Sequence, residues 1–271
     1  GSIVLVFAGM PANQFSVGDS IAEGEAATGG IGAPNHDKVW STGFNATDGV
    51  NSLNERLEAL DVATYYENNS TRDAIFNHGE SGAVMADFAG QAAAIVAASA
   101  SVPGSKAGKV AILLGANDVC ADSEGTNTNP GVFAMQFRAG LDVLAASPAT
   151  RDARIDVLSI PPIYWLWNAK YSSITCRIIW SFGNVCQSLL SGASDDCANS
   201  TSRLDPENDY PGDGGNCERR KRIHRNIRQY YNNDVLRDVL RQEYIDSGKL
   251  PNARYTDLYD VQFNSTHVNN D

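Results

Sequence analysis

Five apolar residues without a break, Val110-Ala111-Ile112-Leu113-Leu114, stand between Gly108-Lys109 and Gly115-Ala116-Asn117-Asp118. A strand with one wet face alternates apolar and polar residues. A short run that never alternates, bounded by turn residues, is what a strand covered on both faces requires, and such strands belong to parallel sheets crossed by helices. The neighbouring short strand patterns likewise run into turn residues. Phe15-Ser16-Val17 stops at Gly18, Ala74-Ile75-Phe76 runs into Asn77-His78-Gly79, and the strand pattern over 154–160 closes at Pro161-Pro162. A last strand is expected over 254–259. Helical spacing fills the intervals: Val50, Leu53, Leu57 and Leu60 share one face, 83–100 is rich in alanine, 132–146 ends before Pro148, and a long helix spans 218–244 up to Gly248. This alternation predicts an α/β protein, a three-layer α/β/α doubly wound parallel sheet. Ile3-Val4-Leu5-Val6-Phe7-Ala8 reads either as a first strand or as the remnant of a signal peptide's apolar region, and Gly1-Ser2 as a cloning scar.

With 271 residues, one domain over 1–271 accommodates this plan. The strand–helix rhythm lapses over about 163–217, where three of the four tryptophans (Trp165, Trp167, Trp180) and four of the five cysteines (Cys176, Cys186, Cys197, Cys217) fall. This reads as a loop-rich insertion tied by disulfides. The cysteines lack Cys-x-x-Cys spacing, which argues against zinc. Together with the sequons at Asn45, Asn68, Asn69, Asn199 and Asn264 they suggest a secreted, extracellular protein. No run approaches the length of a membrane span. A net charge of −11 excludes nucleic acid as a natural partner, and the basic run Arg219-Arg220-Lys221-Arg222 reads as a solvated helix face. The acidic stretch 205–213 lacks EF-hand spacing, with Tyr210 where the glycine belongs.

Three strand-to-helix turns carry the chemistry: Gly18-Asp19-Ser20, Asn77-His78-Gly79-Glu80-Ser81-Gly82, and Gly115-Ala116-Asn117-Asp118. In order and spacing these resemble the first three blocks of the SGNH (GDSL-type) hydrolases, a likeness extending from about Phe15 to Asp271. The resemblance implies a flavodoxin-like fold and a serine esterase or acylhydrolase that works without metal or organic cofactor, on a small-molecule, lipid or glycan ester. It makes Ser20 the nucleophile. It makes the Ser20 and Gly82 backbone N–H groups and the Asn117 amide the oxyanion donors. Such residue types suit an oxyanion site, since an amide donates without a charge that needs burial and glycine admits close backbone approach.

The fourth block of the family, Asp-x-x-His, supplies the base and its orienting acid. Here Asp271 takes the place of the acid, and the catalytic histidine is expected just after it. His267, which follows Asn264 rather than an aspartate by three residues, is the displaced alternative. An alternative function keeps the fold and the cleft but not the turnover: a catalytically inactive ester- or glycan-binding protein. Asp19 reads as a turn-stabilising residue, and His78 as either a turn residue or a substrate contact.

Overall fold

A computed structural model describes residues 13–25, 27, 34–44, 47–59, 76–182, 185–191 and 195–259. Its centre is a sheet of four strands, β1 (Gln14–Gly18), β2 (Lys109–Leu113), β3 (Arg154–Leu158) and β4 (Ala253–Thr256), in the order β1-β2-β3-β4 with every pair parallel. The helices in chain order are α1 (Leu53–Ala59), α2 (Phe88–Ser99), α3 (Ala116–Val119), α4 (Pro130–Ala146), α5 (Ile163–Lys170), α6 (Ile174–Phe182), α7 (Gln187–Leu190), α8 (Ser200–Arg203) and α9 (Gly215–Asn226). Helix α9 continues into two wider, π-helical segments, Ile227–Arg237 and Leu240–Ile245, so the long helix expected over 218–244 is present but changes its winding.

β1 and β2 are buried at every position; β2 accordingly reads as an apolar run, whereas β1, Gln-Phe-Ser-Val-Gly, alternates in sequence although both its faces are covered. Lys109 is the exception in chemistry but not in burial: its ammonium lies 2.7 Å from Asp156 Oδ2 of β3, and Arg254 of β4 bonds the same carboxylate. On the other edge of β1, Asn77 pairs with Ser16 in a parallel bridge. The chain therefore passes from β1 to one side of the sheet and returns to the other side as β2. A topological switch point lies beside β1, the place where open parallel sheets bind ligands at their carboxyl ends.

The core joins Phe15, Phe88, Phe133, Phe137, Tyr164 and Trp167, all close to fully buried. The span 163–217 alternates loops with short helices. Its four short helices are α5 to α8, of which α5 and α7 pack against α9 and contribute Trp167, Leu189 and Leu190 to the core. Disulfides Cys120–Cys186 and Cys197–Cys217 tie it, leaving Cys176 unbridged. The segment 3–8, like residues 1–2, lies outside the described residues.

The basic run on α9 is the solvated face expected only in part, with Arg222 exposed and Arg219 half-buried. Arg220 and Lys221 are fully buried. The Arg220 guanidinium lies over the Trp167 ring at 4.3 Å and donates to the carbonyls of Leu189 and Ser191. Lys221 Nζ donates to Ser202 Oγ at 2.7 Å, the Asn208 carbonyl at 2.8 Å and Asp213 Oδ2 at 2.9 Å. A cation sits in the acidic loop after all, and it is a lysine ammonium. Burial alone would raise the Asp213 carboxyl. Hydrogen bonds from the Ala198 N–H, Ser202, Lys221 and the Tyr210 N–H outweigh it and hold the group down to about 2.

Candidate active site

The three turns singled out in the sequence meet at the carboxyl edge of the sheet, beside β1. Gly18 and Leu113 are register partners, so the turns that begin at Asp19 and at Leu114 leave the sheet at the same level. The segment after Asn77 is held there by backbone bonds, His78 N–H to the Ser16 carbonyl at 2.9 Å and Glu80 N–H to the Gly18 carbonyl at 3.1 Å.

Side chains then lock turn to turn. Asn77 Nδ2 donates to the Ala22 carbonyl at 2.7 Å, while its Oδ1 accepts from the Gly79 N–H at 3.0 Å. Glu23 Oε2 accepts from both the N–H and the hydroxyl of Ser81, at 2.9 and 2.6 Å. From the third turn, Asn117 Nδ2 donates to the Ala83 carbonyl at 2.8 Å, and Asp118 Oδ2 accepts from the Met85 N–H at 2.7 Å. Packing is equally close: a Cβ on Gly18 would stand 2.6 Å from the Ala22 Cβ and 2.6 Å from the Leu113 carbonyl oxygen, so only glycine ends β1 without displacing its neighbours.

Of the candidate residues, Ser20 is half-buried in the first turn, and its hydroxyl bonds no described residue. Gly82 lies in the second turn with φ +82° and open space where a Cβ would project. Its left-handed backbone, rather than crowding, is what favours glycine there. Asn117 is the second residue of α3, in the third turn. One of its two amide protons is engaged by Ala83, the residue after Gly82, which brings the second and third candidates into one cluster. Asp271 and His267 lie outside the described residues. His78 stacks on Phe15 with the rings 8° from parallel, a turn residue packed on the sheet.

Asp19 stabilises its turn as expected, accepting the Ile21 N–H at 3.0 Å. Burial raises its carboxyl from the ordinary 3.8 to about 6; the Ile21 bond opposes this and the charge of Asp118 adds to it. Because the folded value lies above the unfolded one, the native state binds the extra proton between them, and stability falls as pH rises from 3.8 through about 6. Asp19→Asn keeps the acceptor and removes the charge. The variant should exceed the parent in stability at pH 8 by up to roughly 3 kcal/mol, with the difference gone below about pH 4, as read by urea denaturation across that range. Equal stability at pH 8 would refute the strained carboxylate.

One structural partner carried little signal in the sequence. Gln91 of α2 is buried; its Oε1 accepts the Gly18 N–H at 3.0 Å and its Nε2 donates to the Gly18 carbonyl at 2.9 Å, clasping the last residue of β1. What marks it beforehand is only that it is a lone amide among the alanines of 88–99. Next to the third turn, a cavity of about 400 Å³ is lined by Val119, Asn127, Pro130, Ile227, Tyr230 and Tyr231. Tyr231 donates its hydroxyl to the Thr128 carbonyl, and burial, with the Asp118 charge beside it, pushes that hydroxyl up to about 12. It stays protonated as a donor.

Among the described residues, the cysteine, histidine and carboxylate groups close enough to share a metal ion are those of Cys197, Asp213 and Cys217. The two sulfurs form a disulfide and the carboxylate is held by Lys221, so these residues do not fit a metal. No helix among the described residues is long and apolar enough to cross a membrane. A scan of the chain against protein-family models matches none, and a search of curated proteins returns no match.

Proposed function

We propose that the chain is a serine esterase of the SGNH type that cleaves carboxylic esters through an acyl-enzyme on Ser20. The observation that carries this reading is the bond from Asn117 Nδ2 to the Ala83 carbonyl, made at the sheet edge where the Ser20 turn also leaves β1. It joins the third block to the second within one residue of Gly82. On this reading the second Asn117 amide proton and the N–H groups of Ser20 and Gly82 converge on the substrate's carbonyl oxygen as it gains charge. Attack by Ser20 Oγ forms the C–O bond of a tetrahedral intermediate; its collapse expels the alcohol, and water then releases the acid. The base and its orienting acid belong to the chain after Tyr259, with Asp271 as the acid and His267 the first histidine to replace. The order of the bridge at Asn77 and strands β1 to β4 supports a flavodoxin-like, doubly wound form of the fold. Two disulfides support an extracellular setting.

A fluorophosphonate tests the nucleophile directly, because only an activated hydroxyl displaces its fluoride. The expected result is one adduct per chain on the peptide containing Ser20, with loss of p-nitrophenyl acetate hydrolysis in step. No adduct would leave the ester- or glycan-binding alternative, and an adduct on another serine would overturn the assignment.

A further inference from the structure

The cavity of about 400 Å³ beside the third turn has no part in the esterase reading. Its volume falls within the range of small-molecule sites, about 300–1,000 Å³. One wall is α3, where Val119 stands two residues after Asn117, and another is the long helix that begins as α9.

Part of the lining is apolar. Val119, Ile223 and Ile227 are almost fully buried, and the Tyr231 ring meets Phe133 edge-on with centroids 5.1 Å apart. Side-chain amides supply the polar part, from Asn127, Asn129 and Asn226. Asn129 commits only its Oδ1, which accepts the Gly131 N–H at 2.8 Å. The Asn226 amide bonds no described residue. Asn127 Oδ1 is enclosed and accepts no hydrogen bond among the described residues, a costly state for an amide oxygen.

Charge narrows the ligand. Among the described lining residues Glu124 alone is charged, and the Arg222 guanidinium takes both its oxygens at 2.8 and 2.6 Å, holding the carboxyl below its ordinary value. A charged ligand would therefore give up its hydration without gaining a counter-charge. A purely apolar ligand would strip water from the amides and replace none of their hydrogen bonds. What fits is a neutral molecule that carries several hydroxyls on an apolar ring, since a hydroxyl, like an amide, both donates and accepts.

Tyr230 supplies a platform for such a ring. It lines the cavity at 48% exposure, and no described ring or cation stacks on it. Its face is apolar and its tip polar, which suits the C–H face of a sugar. The helix also changes from α to π winding at Ile227, among the residues that line the cavity, and such changes recur at functional sites.

We infer that this cavity is a binding site for a neutral saccharide, with the sugar ring on Tyr230 and its hydroxyls bonded by the amides of Asn127, Asn129 and Asn226. A hydroxyl that turned the Asn127 amide would supply the donor its oxygen lacks. The inference does not rest on the esterase reading.

NMR titration of the full chain with cellobiose, xylobiose, lactose and chitobiose tests the site. At least one should bind one to one, and Tyr230→Ala and Asn226→Ala should each weaken it by about tenfold. Should Asn226→Ala unfold early, Tyr230→Ala, at an exposed side chain, supplies the comparison. Asn127→Ala separates binding from folding: it removes an unsatisfied buried oxygen, so the thermal midpoint should hold or rise while affinity falls. No binding of any of these sugars at about 10 mM overturns the proposal, as does unchanged affinity in the folded variants. Tighter binding of glucuronate, inorganic phosphate or hexanol, lost in Tyr230→Ala, assigns the cavity to a charged or an acyl ligand and also overturns it. Ser20→Ala should bind the sugar as the parent does. Sugar binding by a parent that hydrolyses no ester refutes the esterase reading and leaves the saccharide site standing.

Discussion

Alanine at Ser20 is expected to lower kcat for p-nitrophenyl acetate by about a millionfold, the scale on which serine hydrolases lose rate with their nucleophile. Alanine at Asn117 should cost about 10²–10³-fold, or ~2.7–4 kcal/mol of transition-state stabilisation, with KM little changed, since the oxyanion exists only after attack. The two variants differ in kind. Asn117→Ala retains the hydroxyl and should still take up fluorophosphonate, more slowly, whereas Ser20→Ala should take up none. Ser20 lies half-buried at a turn with its hydroxyl bonding no described residue, so its loss should leave the thermal midpoint in place. Asn117 holds the Ala83 carbonyl, and its variant should also loosen the second turn modestly. Hydrolysis by Ser20→Ala at the parent rate would end the assignment of Ser20 as the nucleophile.

Lys221→Met is expected to destabilise the fold by about 3–5 kcal/mol, the cost of breaking a buried ion pair by removing one partner. The side chains of Lys221 and Asp213 are both inaccessible to water. Methionine has similar length and fills the space beside Tyr210, whose ring lies 4.7 Å from the lysine nitrogen. What it cannot do is donate to the Asp213 carboxylate, to Ser202 and to the Asn208 carbonyl. The carboxylate would then be buried with its remaining donors but no counter-charge. The control is Lys221→Met/Asp213→Asn, which removes both charges and should recover part of the loss. Chemical denaturation at pH 7 reads both. A single variant within about 1 kcal/mol of the parent would mean that the pair is wetter than its burial indicates.

The residues alone determined the layers and the edge of action. A strand covered on both faces reads as an unbroken apolar run in β2, and the glycines that end β1 and follow β2 are local necessities, so these strands and the turns after them are readable within a few residues of sequence. The order of the three blocks then predicted which turns belong to one site. Only the tertiary structure decided how those turns are held. Asn77 reaching Ala22, Gln91 clasping Gly18 and Asn117 meeting Ala83 join groups 34 to 73 positions apart. An amide in sequence carries no sign of which carbonyl will come within its reach.

The same reason explains the basic run on α9 and the cysteines. A lysine reads as solvated until a carboxylate, a hydroxyl and a carbonyl are assembled around it, and that assembly draws on three separate positions, Ser202, Asn208 and Asp213. Cys120 is remote in sequence from the cysteines of 163–217, and it became a partner of Cys186 because α3 and α7 pack together at the end of β2. The exposed isoleucines of α6, Ile174 and Ile178, belong to both sources. The isoleucines are plain in the sequence, but which side of the helix faces water is a property of what Trp180 packs against, and packing is decided by the whole chain at once.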